Sequence, residues 1–595
     1  MNAKGLVIIS SICLAVFLFS ASCGGNKPKQ PNEAWKAPPE ANFLKSPFLN
    51  NSPMEQKGRE LYQLYCRSCH GETGLGDGAA GREGAGPKPA NFHNEKLQSQ
   101  SDGALFWKLN TGRGNMPSFK RVLTEEQRWQ LISFIRILPR QSETKSAPAA
   151  LRPDIKIEHV MEIGPLAVRI LLHPVSGDLW YTTFNGDVFQ IKDLHSKQPQ
   201  AEKVLSAADH GIPVLQGAAF LKNKLFLCGN VYSKDKKTTH GRMVCFDLRD
   251  TGHHKMWVVF NTVDYGANKT IYDHGWNALL ISPDQKYIYV NSGARTDHGE
   301  IQDNGGAYPN ARDNALTAKI FRFPVSTKDL ELTDDGDKLK AEGFLYAEGI
   351  RNAYDLAFDS DGRLFAVSNS ADYDYSEDMF WIRQHHHYGF PWIMGGLENP
   401  QQYKDWKPDA DRDPFINKAS HSWQTKYYYT DSSFPERPKG VRFSPGVQNI
   451  GPDANEYRGH SGKIQDGDQT GVTISTFTAH SCPLGLSFDT KKILSKDFKN
   501  DGFVIRYSLG SASALMKPFT NEGSDLLHLH LSYDAITNNY FVKTTRIVKG
   551  FKEPVDAVLV GNNLYVIEYG GRAGNIWKVI LPKENKKIAG KKHTS

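Results

Sequence analysis

Residues 278–293 read ALLISPDQKYIYVNSG: a short apolar run, a polar turn, then a run rich in β-branched and aromatic residues. Such residues suit a pleated, half-buried strand, and Pro, Asp and Gln between the runs suit a reversal. The same pattern occurs as VRILLHPVSGDLWYTT from Val168, GAAFLKNKLFLCG from Gly217 and DLAFDSDGRLFAVSNS from Asp355. It returns as GLSFDTKKILSKDFKNDGFVIRYS from Gly485 and DAVLVGNNLYVIEYG from Asp556. The turns carry Asp, Asn or Gly, which tolerate hairpin geometry. Units of this kind, roughly 45 to 130 residues apart, predict blades with long inserted loops. Six units predict a six-bladed, all-β propeller; a large β-sandwich is the alternative. The polar stretches 262–277, 293–317 and 370–448 are expected to build the mouth of its central channel.

Upstream, residues 53–139 predict a small all-α domain, and the Pro- and Ala-rich segment RQSETKSAPAALRP (140–153) a linker. The expected division is therefore multidomain, with the propeller over 154–582 and a solvated basic tail over 583–595. In the helical part, YCRSCHG (65–71) contains C-x-x-C-H, the pattern of covalent c-type haem attachment. Two thiols one helical turn apart, Cys66 and Cys69, meet the two vinyl groups of one porphyrin, and His70 supplies a nitrogen to the iron. Met116, in GNMP (114–117), is the expected sixth ligand. His93 or an open position are the alternatives. Zinc needs four ligands, and no second cysteine pair lies nearby. Residues 123–138 predict a helix with Thr124 as N-cap and Glu125 and Glu126 in its first turn. This stretch resembles class I cytochrome c over about 85 residues.

The chain has 595 residues, 39% of them hydrophobic, 11% aromatic and 23% charged, which are ordinary globular values. Its net charge of +7 comes from scattered basic residues, so a nucleic-acid partner is not expected. Lys4 and the apolar run 6–19 predict a signal peptide over 1–22. The run ends in SASCGG (20–25), which resembles a lipoprotein cleavage site and makes Cys23 the expected lipidated residue. Residues 23–52 are then a polar tether, and the expected location is the periplasm or cell envelope, anchored to a membrane. Cleavage and release is the alternative. Cys228 and Cys245 flank a polar turn and are expected either as a disulfide or as two buried thiols.

DHG (273–275) and EGIRN (348–352) each directly precede a recurrent unit, so His274 and Arg351 occupy matched places at one end of two blades. HGWNALLISPDQKYIYVNSG from His274 and EGIRNAYDLAFDSDGRLFAVSNS from Glu348 resemble the soluble glucose/sorbosone dehydrogenase family. So do SEDMFWIRQHHHYGFPW from Ser376 and AHSCPLGLSF from Ala479. That family consists of six-bladed propellers using pyrroloquinoline quinone. The resemblance implies that His274 is the general base and that Arg351 stabilises charge on the reduced quinone. It implies cofactor contacts from Asn352 and Gln216, and calcium held by Glu377, Asp378 and Tyr388. The chain departs from the family pattern at EPVD (553–556), where paired arginines that grip the cofactor carboxylates belong; Arg506 or Arg572 are the substitutes. It departs also at SGAR (292–295) and DYD (372–374).

The leading expectation is thus a haem-containing quinoprotein that oxidises an aldose or related alcohol. Electrons pass to its own haem c and then to an external acceptor such as a cytochrome or oxidase. The alternatives are a non-enzymatic electron-transfer module whose propeller binds a glycan or partner, and an oxidoreductase for another alcohol.

Overall fold

The computed structural model describes residues 35–46, 52–71, 73–78, 80–81, 88–140, 147–249, 254–268, 270, 272–302, 312–508, 514–521, 523–570 and 573–584. The expected signal peptide, Cys23, Arg572 and residues 585–595 of the basic tail lie outside them. No helix among the described residues is long and apolar enough to cross a membrane.

The N-terminal part is helical: Ser52–Tyr65, Arg67–His70, Glu95–Gln98, Asp102–Thr111 and Glu125–Ile137. The last helix begins as its sequence predicts. Thr124 accepts from the Gln127 backbone N–H at 3.2 Å, and the Gln127 side chain accepts from the Thr124 N–H at 2.9 Å. This reciprocal cap satisfies two amides that the first turn leaves unpaired. First and last helices pack against each other around Tyr62, Leu131 and Phe134.

From residue 167 onward the chain is β, in six main sheets. Their innermost strands are Ala167–Leu172, Val214–Leu221, Trp276–Ile281, Ala353–Phe358, Pro483–Phe488 and Pro554–Val560, which define blades one to six. Each innermost strand touches the next, and the sixth touches the first, so the sheets form a closed ring. Every innermost strand carries a register irregularity near its start, for example between Asn277 and Leu279 and between Ala353 and Asp355. A bulge bends a strand and re-aims the side chains around it. Here it does so at the same depth in all six blades.

The quoted sequence units are the first two strands of each blade. Second strands such as Leu179–Thr183, Leu364–Ser368 and Gly502–Arg506 are buried along their whole length, which accounts for their unbroken apolar character. Outer strands such as Gln200–Leu205 are half exposed and polar. The segment expected as a linker contributes a strand: Ala149–Ala150 pairs with Val548 and Lys549 in blade five. Lys156–Ile163 becomes the fourth strand of blade six by pairing with Gly574–Ile580 from the other end of the chain. Cys228 lies opposite Met243, and Cys245 opposite Phe226; the register sets the two thiols apart, and both are free and buried.

Ring closure should carry stability. Ile576, fully buried in the closing sheet, should cost about 2–5 kcal/mol when truncated to Ala. Ile536→Ala, at a 94% exposed hairpin tip, should stay within about 0.5 kcal/mol. Denaturant unfolding of the two variants checks this.

Candidate functional site

In the helical domain, Cys66, Cys69 and His70 share one turn: the Cys69 and His70 N–H groups donate to the Cys66 carbonyl at 3.2 and 2.8 Å. His70 is buried and its ring stacks on Phe92 at 4.5 Å. Its Nδ1 lies 3.0 Å from the Ala90 carbonyl, which sets Nδ1 as the protonated nitrogen and leaves Nε2 unprotonated. Burial pushes the Cys66 thiol up to about 12 and the Cys69 thiol up to about 11. Cys66 and Met116 belong to the same apolar cluster, and Met116 sits in a turn closed by paired bonds with Arg113. His93 instead directs Nε2 to the Thr73 carbonyl at 2.8 Å. Two thiols and an oriented imidazole on one turn, beside an apolar cluster that holds Cys66 and Met116, suit a haem c, which Cys66 and Cys69 would anchor and to whose iron His70 and Met116 would offer nitrogen and sulfur.

In the propeller, residues at and just before the starts of the innermost strands of blades two to four converge at one end of the channel. His274 is held at Nδ1 by the Ala294 carbonyl at 3.1 Å, so Nε2 is its free acceptor. Burial first, and the facing Arg351 charge second, push its pKa down to about 3, so the ring is neutral near pH 7. Gly293 is hemmed in by His274 and Asn352; a Cβ there would lie 2.5 Å from the His274 Cβ and 2.8 Å from Asn352 Oδ1. Gly275 is likewise closed in by Asn230 and Gln216, whose Oε1 would lie 2.9 Å from an added Cβ. Glycines at these two places let the side chains of blades two, three and four crowd together. Asn352 Oδ1 accepts from Asn277 Nδ2 at 2.9 Å.

Arg351 is less free than its expected role requires. Its Nη2 pairs with Asp297 Oδ1 at 2.9 Å, its Nε donates to the Asp297 carbonyl at 2.7 Å, and its Nη1 to the Asn369 carbonyl at 3.2 Å. Asp297 also accepts from Ser422 Oγ at 2.5 Å and is held well below the carboxylate range by His298, Arg351 and Ser422, against the burial that raises it. The Asp372 N–H reaches it at 3.2 Å, and the Asp372 carboxylate takes the Tyr272 hydroxyl. Asp297, Tyr272 and Ser422, which the sequence did not single out, therefore join the site together with Asp372 of the DYD departure. The available signal was the run TDHGE (296–300), charged residues inside a long loop that turn out to be almost wholly buried. Arg295, at the SGAR departure, pairs with Asp273 beside His274, with both side chains fully buried.

Two expected sets are placed differently. Arg506 is fully buried and bidentate to Asp525, at 3.0 and 2.7 Å, and Arg546 shares that carboxylate at 2.7 Å. Its charge is neutralised where it sits, because a buried guanidinium needs its anion. At EPVD, Asp556 Oδ2 accepts the Ile170 N–H at 2.8 Å, and Arg169 of blade one lies 3.8 Å from both Asp556 and Asp355. The expected calcium donors are each engaged within the protein, and Asp378 and Tyr388 line one small pocket together with Arg351 and Ser370. Glu377 takes the Ser370 N–H at 2.7 Å, and Asp378 takes the Ser475 hydroxyl and the Gly395 N–H. Tyr388 Oη bridges the Trp381 carbonyl and the Arg383 N–H at 2.7 and 2.8 Å. Burial raises Glu377 to about 7 and Asp378 to about 6. Among the described residues no group of three or more His, Cys, Asp or Glu is arranged to hold a metal ion. A cavity of about 550 Å³ lies behind Glu348–Gly349, lined by Lys319, Tyr346, His387 and Trp392; His274 and Arg351 do not line it.

Residues 53–135 match the family described as cytochrome C oxidase, cbb3-type, subunit III. These residues form a cytochrome c domain. No curated protein matches the chain by sequence. Among solved structures, a glucose dehydrogenase is similar at 11% identity with a TM-score of 0.45, covering 71% of this chain and 99% of its own. The holo pyranose dehydrogenase PQQ domain from Coprinopsis cinerea is similar at 12% and 0.43, covering 73% and 98%. The apo soluble aldose sugar dehydrogenase from Escherichia coli is similar at 14% and 0.41, covering 71% and 99%. The six-bladed architecture rests on the strand pairing described above.

Asp525→Ala should leave Arg506 buried without an anion and destabilise the protein by about 3–5 kcal/mol, measured by thermal or denaturant unfolding.

Proposed function

We propose that this chain is a haem-containing dehydrogenase that oxidises a sugar or related alcohol at the propeller mouth and passes the electrons to its own haem c. The observation that carries the reading is the convergence of His274, Asn352, Gln216 and the Arg351–Asp297 pair at one channel end of a chain that also holds a C-x-x-C-H motif.

The fit to a quinone is partial. The Gln216 and Asn352 amides and Arg351 would hold its ring oxygens and nitrogens. A bound quinone supplies a two-electron acceptor for hydride. His274 Nε2 is unprotonated near neutral pH and accepts the substrate's hydroxyl hydrogen. The Arg351–Asp297 pair keeps a fixed guanidinium beside it, a preorganised positive group that needs no rearrangement during reaction. Calcium enters no step. The lipid anchor at Cys23 and a cell-envelope location belong to the same reading, since covalent haem and an exported apolar leader go together; the final acceptor is an external redox protein.

A second reading is favoured by one observation. Arg506 is bound to Asp525, and Asp556 stands where a cofactor-gripping arginine is expected, so neither position presents a free guanidinium to cofactor carboxylates. On that reading the propeller binds a glycan or partner without quinone.

Substrate-driven haem reduction separates these. Full-length protein loaded with pyrroloquinoline quinone should show haem reduction on addition of an aldose. His274→Ala should lower that rate by about 10²–10⁴-fold while dithionite still reduces the haem; no reduction across a panel of sugars and alcohols favours the second reading. Met116→His should lower the midpoint potential in a redox titration, because an imidazole favours the ferrous state less than a thioether does.

A further inference from the structure

The chain brings a second histidine to the channel mouth at the register position of the first. The last ladder pair before the bulge involves Asn277 in blade three, Ala353 in blade four and Pro483 in blade five. His274 and His480 each lie three residues before that point, and Arg351 two before it, so three consecutive blades present His, Arg and His at one end of the ring. His480 takes a left-handed backbone, φ 60°, which a residue with a side chain rarely adopts and which clusters at functional sites.

Its surroundings are those of an oriented base. Nε2 lies 2.9 Å from Asp374 Oδ1, which makes Nε2 the protonated nitrogen, and Nδ1 carries no hydrogen bond among the described residues. Asp374 is itself held by Arg458 at 2.5 Å and by Asn417 Nδ2 at 3.2 Å. The other charges acting on His480 are Asp372 and Glu377. Glu377 takes the Ser370 N–H at 2.7 Å, on the loop that carries Asp372 and Asp374.

We propose that His480, backed by Asp374, is the proton sink of the reaction centre, receiving at Nδ1 the proton that leaves the substrate hydroxyl by way of His274. This rests on the dehydrogenase reading above. The substrate's O–H bond breaks and its proton bonds to His274 Nε2, while the C–H electron pair leaves as hydride for the quinone acceptor. The new N–H bond of His274 then breaks, and the proton passes to His480 Nδ1 directly or through solvent. A bound quinone would take both electrons, and the Asp374 carboxylate faces the imidazolium that forms at His480. The direction of transfer follows from the two environments. His274 is disfavoured as a cation by burial and by Arg351. At His480 burial acts in the same sense, but the Asp374 bond and the charges of Asp374, Asp372 and Glu377 outweigh it and raise its pKa above the ordinary histidine value.

The test uses the full-length, quinone-loaded protein. His480→Ala should lower substrate-driven haem reduction by roughly 10²-fold, and added imidazole should restore part of the loss. Asp374→Asn should move the acidic limb of the pH–rate profile to lower pH, because His480 no longer gains basicity from the carboxylate. Undiminished turnover in His480→Ala overturns the proposal. So does a loss that imidazole leaves unrestored together with an unmoved limb in Asp374→Asn. Diethyl pyrocarbonate labelling, read by mass spectrometry at pH 6, needs no turnover: His480 should be modified in the wild-type protein and faster in Asp374→Asn, and absence of modification overturns the proposal. Wild-type protein that labels as expected but reduces no haem with any substrate overturns the dehydrogenase reading, and the relay with it.

Discussion

A ring of sheets has no meaning until it closes, and here closure depends on backbone hydrogen bonds between Lys156–Ile163 and Gly574–Ile580, strands separated by nearly the whole propeller. Without that pairing blade six would present an open edge, and the sixth innermost strand would be held against the first only by the apolar packing between the two blades and by bonds such as that from the Ile170 N–H to Asp556. The mouth residues sit at the starts of those strands, so their mutual placement follows from the ring rather than from any local segment. His274 of blade three meets Asn352 of blade four across Gly293 because the two blades are locked side by side.

Within that frame the charges are arranged to be neutral in pairs. Arg351 with Asp297, Arg295 with Asp273, Arg506 with Asp525, and Arg458 with Asp374 all lie at low exposure. Each isolated charge would be costly to bury, and each pair fixes a geometry instead. Pairing also distributes basicity unevenly. His274 faces a cation and stays neutral, whereas His480 faces a carboxylate. Two histidines at equivalent places in the fold are thereby given different tasks.

What was legible in the sequence has a common physical character. The paired strands of each blade could be read because both are buried and therefore apolar, with a turn between them. Outer strands such as Gln200–Leu205 were not, because half-exposed polar strands resemble loops. The strand Ala149–Ala150 was hidden in a segment whose Pro and Ala suggested a linker; a two-residue strand leaves no periodicity to read. The haem motif and the Thr124 cap were legible because their partners are three or four residues away.

By itself, then, the sequence determined what depends on near neighbours: the haem-attachment turn, the helix cap, the six repeated hairpins and the placement of His274 and Arg351 ahead of two of them. Only the tertiary structure decided which charges meet. That Arg351 belongs to Asp297 and His480 to Asp374 depends on loops of different blades, up to 106 residues apart, whereas Arg506 meets Asp525 across the ladder of a single blade. The reason is that a buried ion must be matched by whatever the closed ring brings beside it, and that partner is set by the packing of blades, of which no local pattern carries a trace.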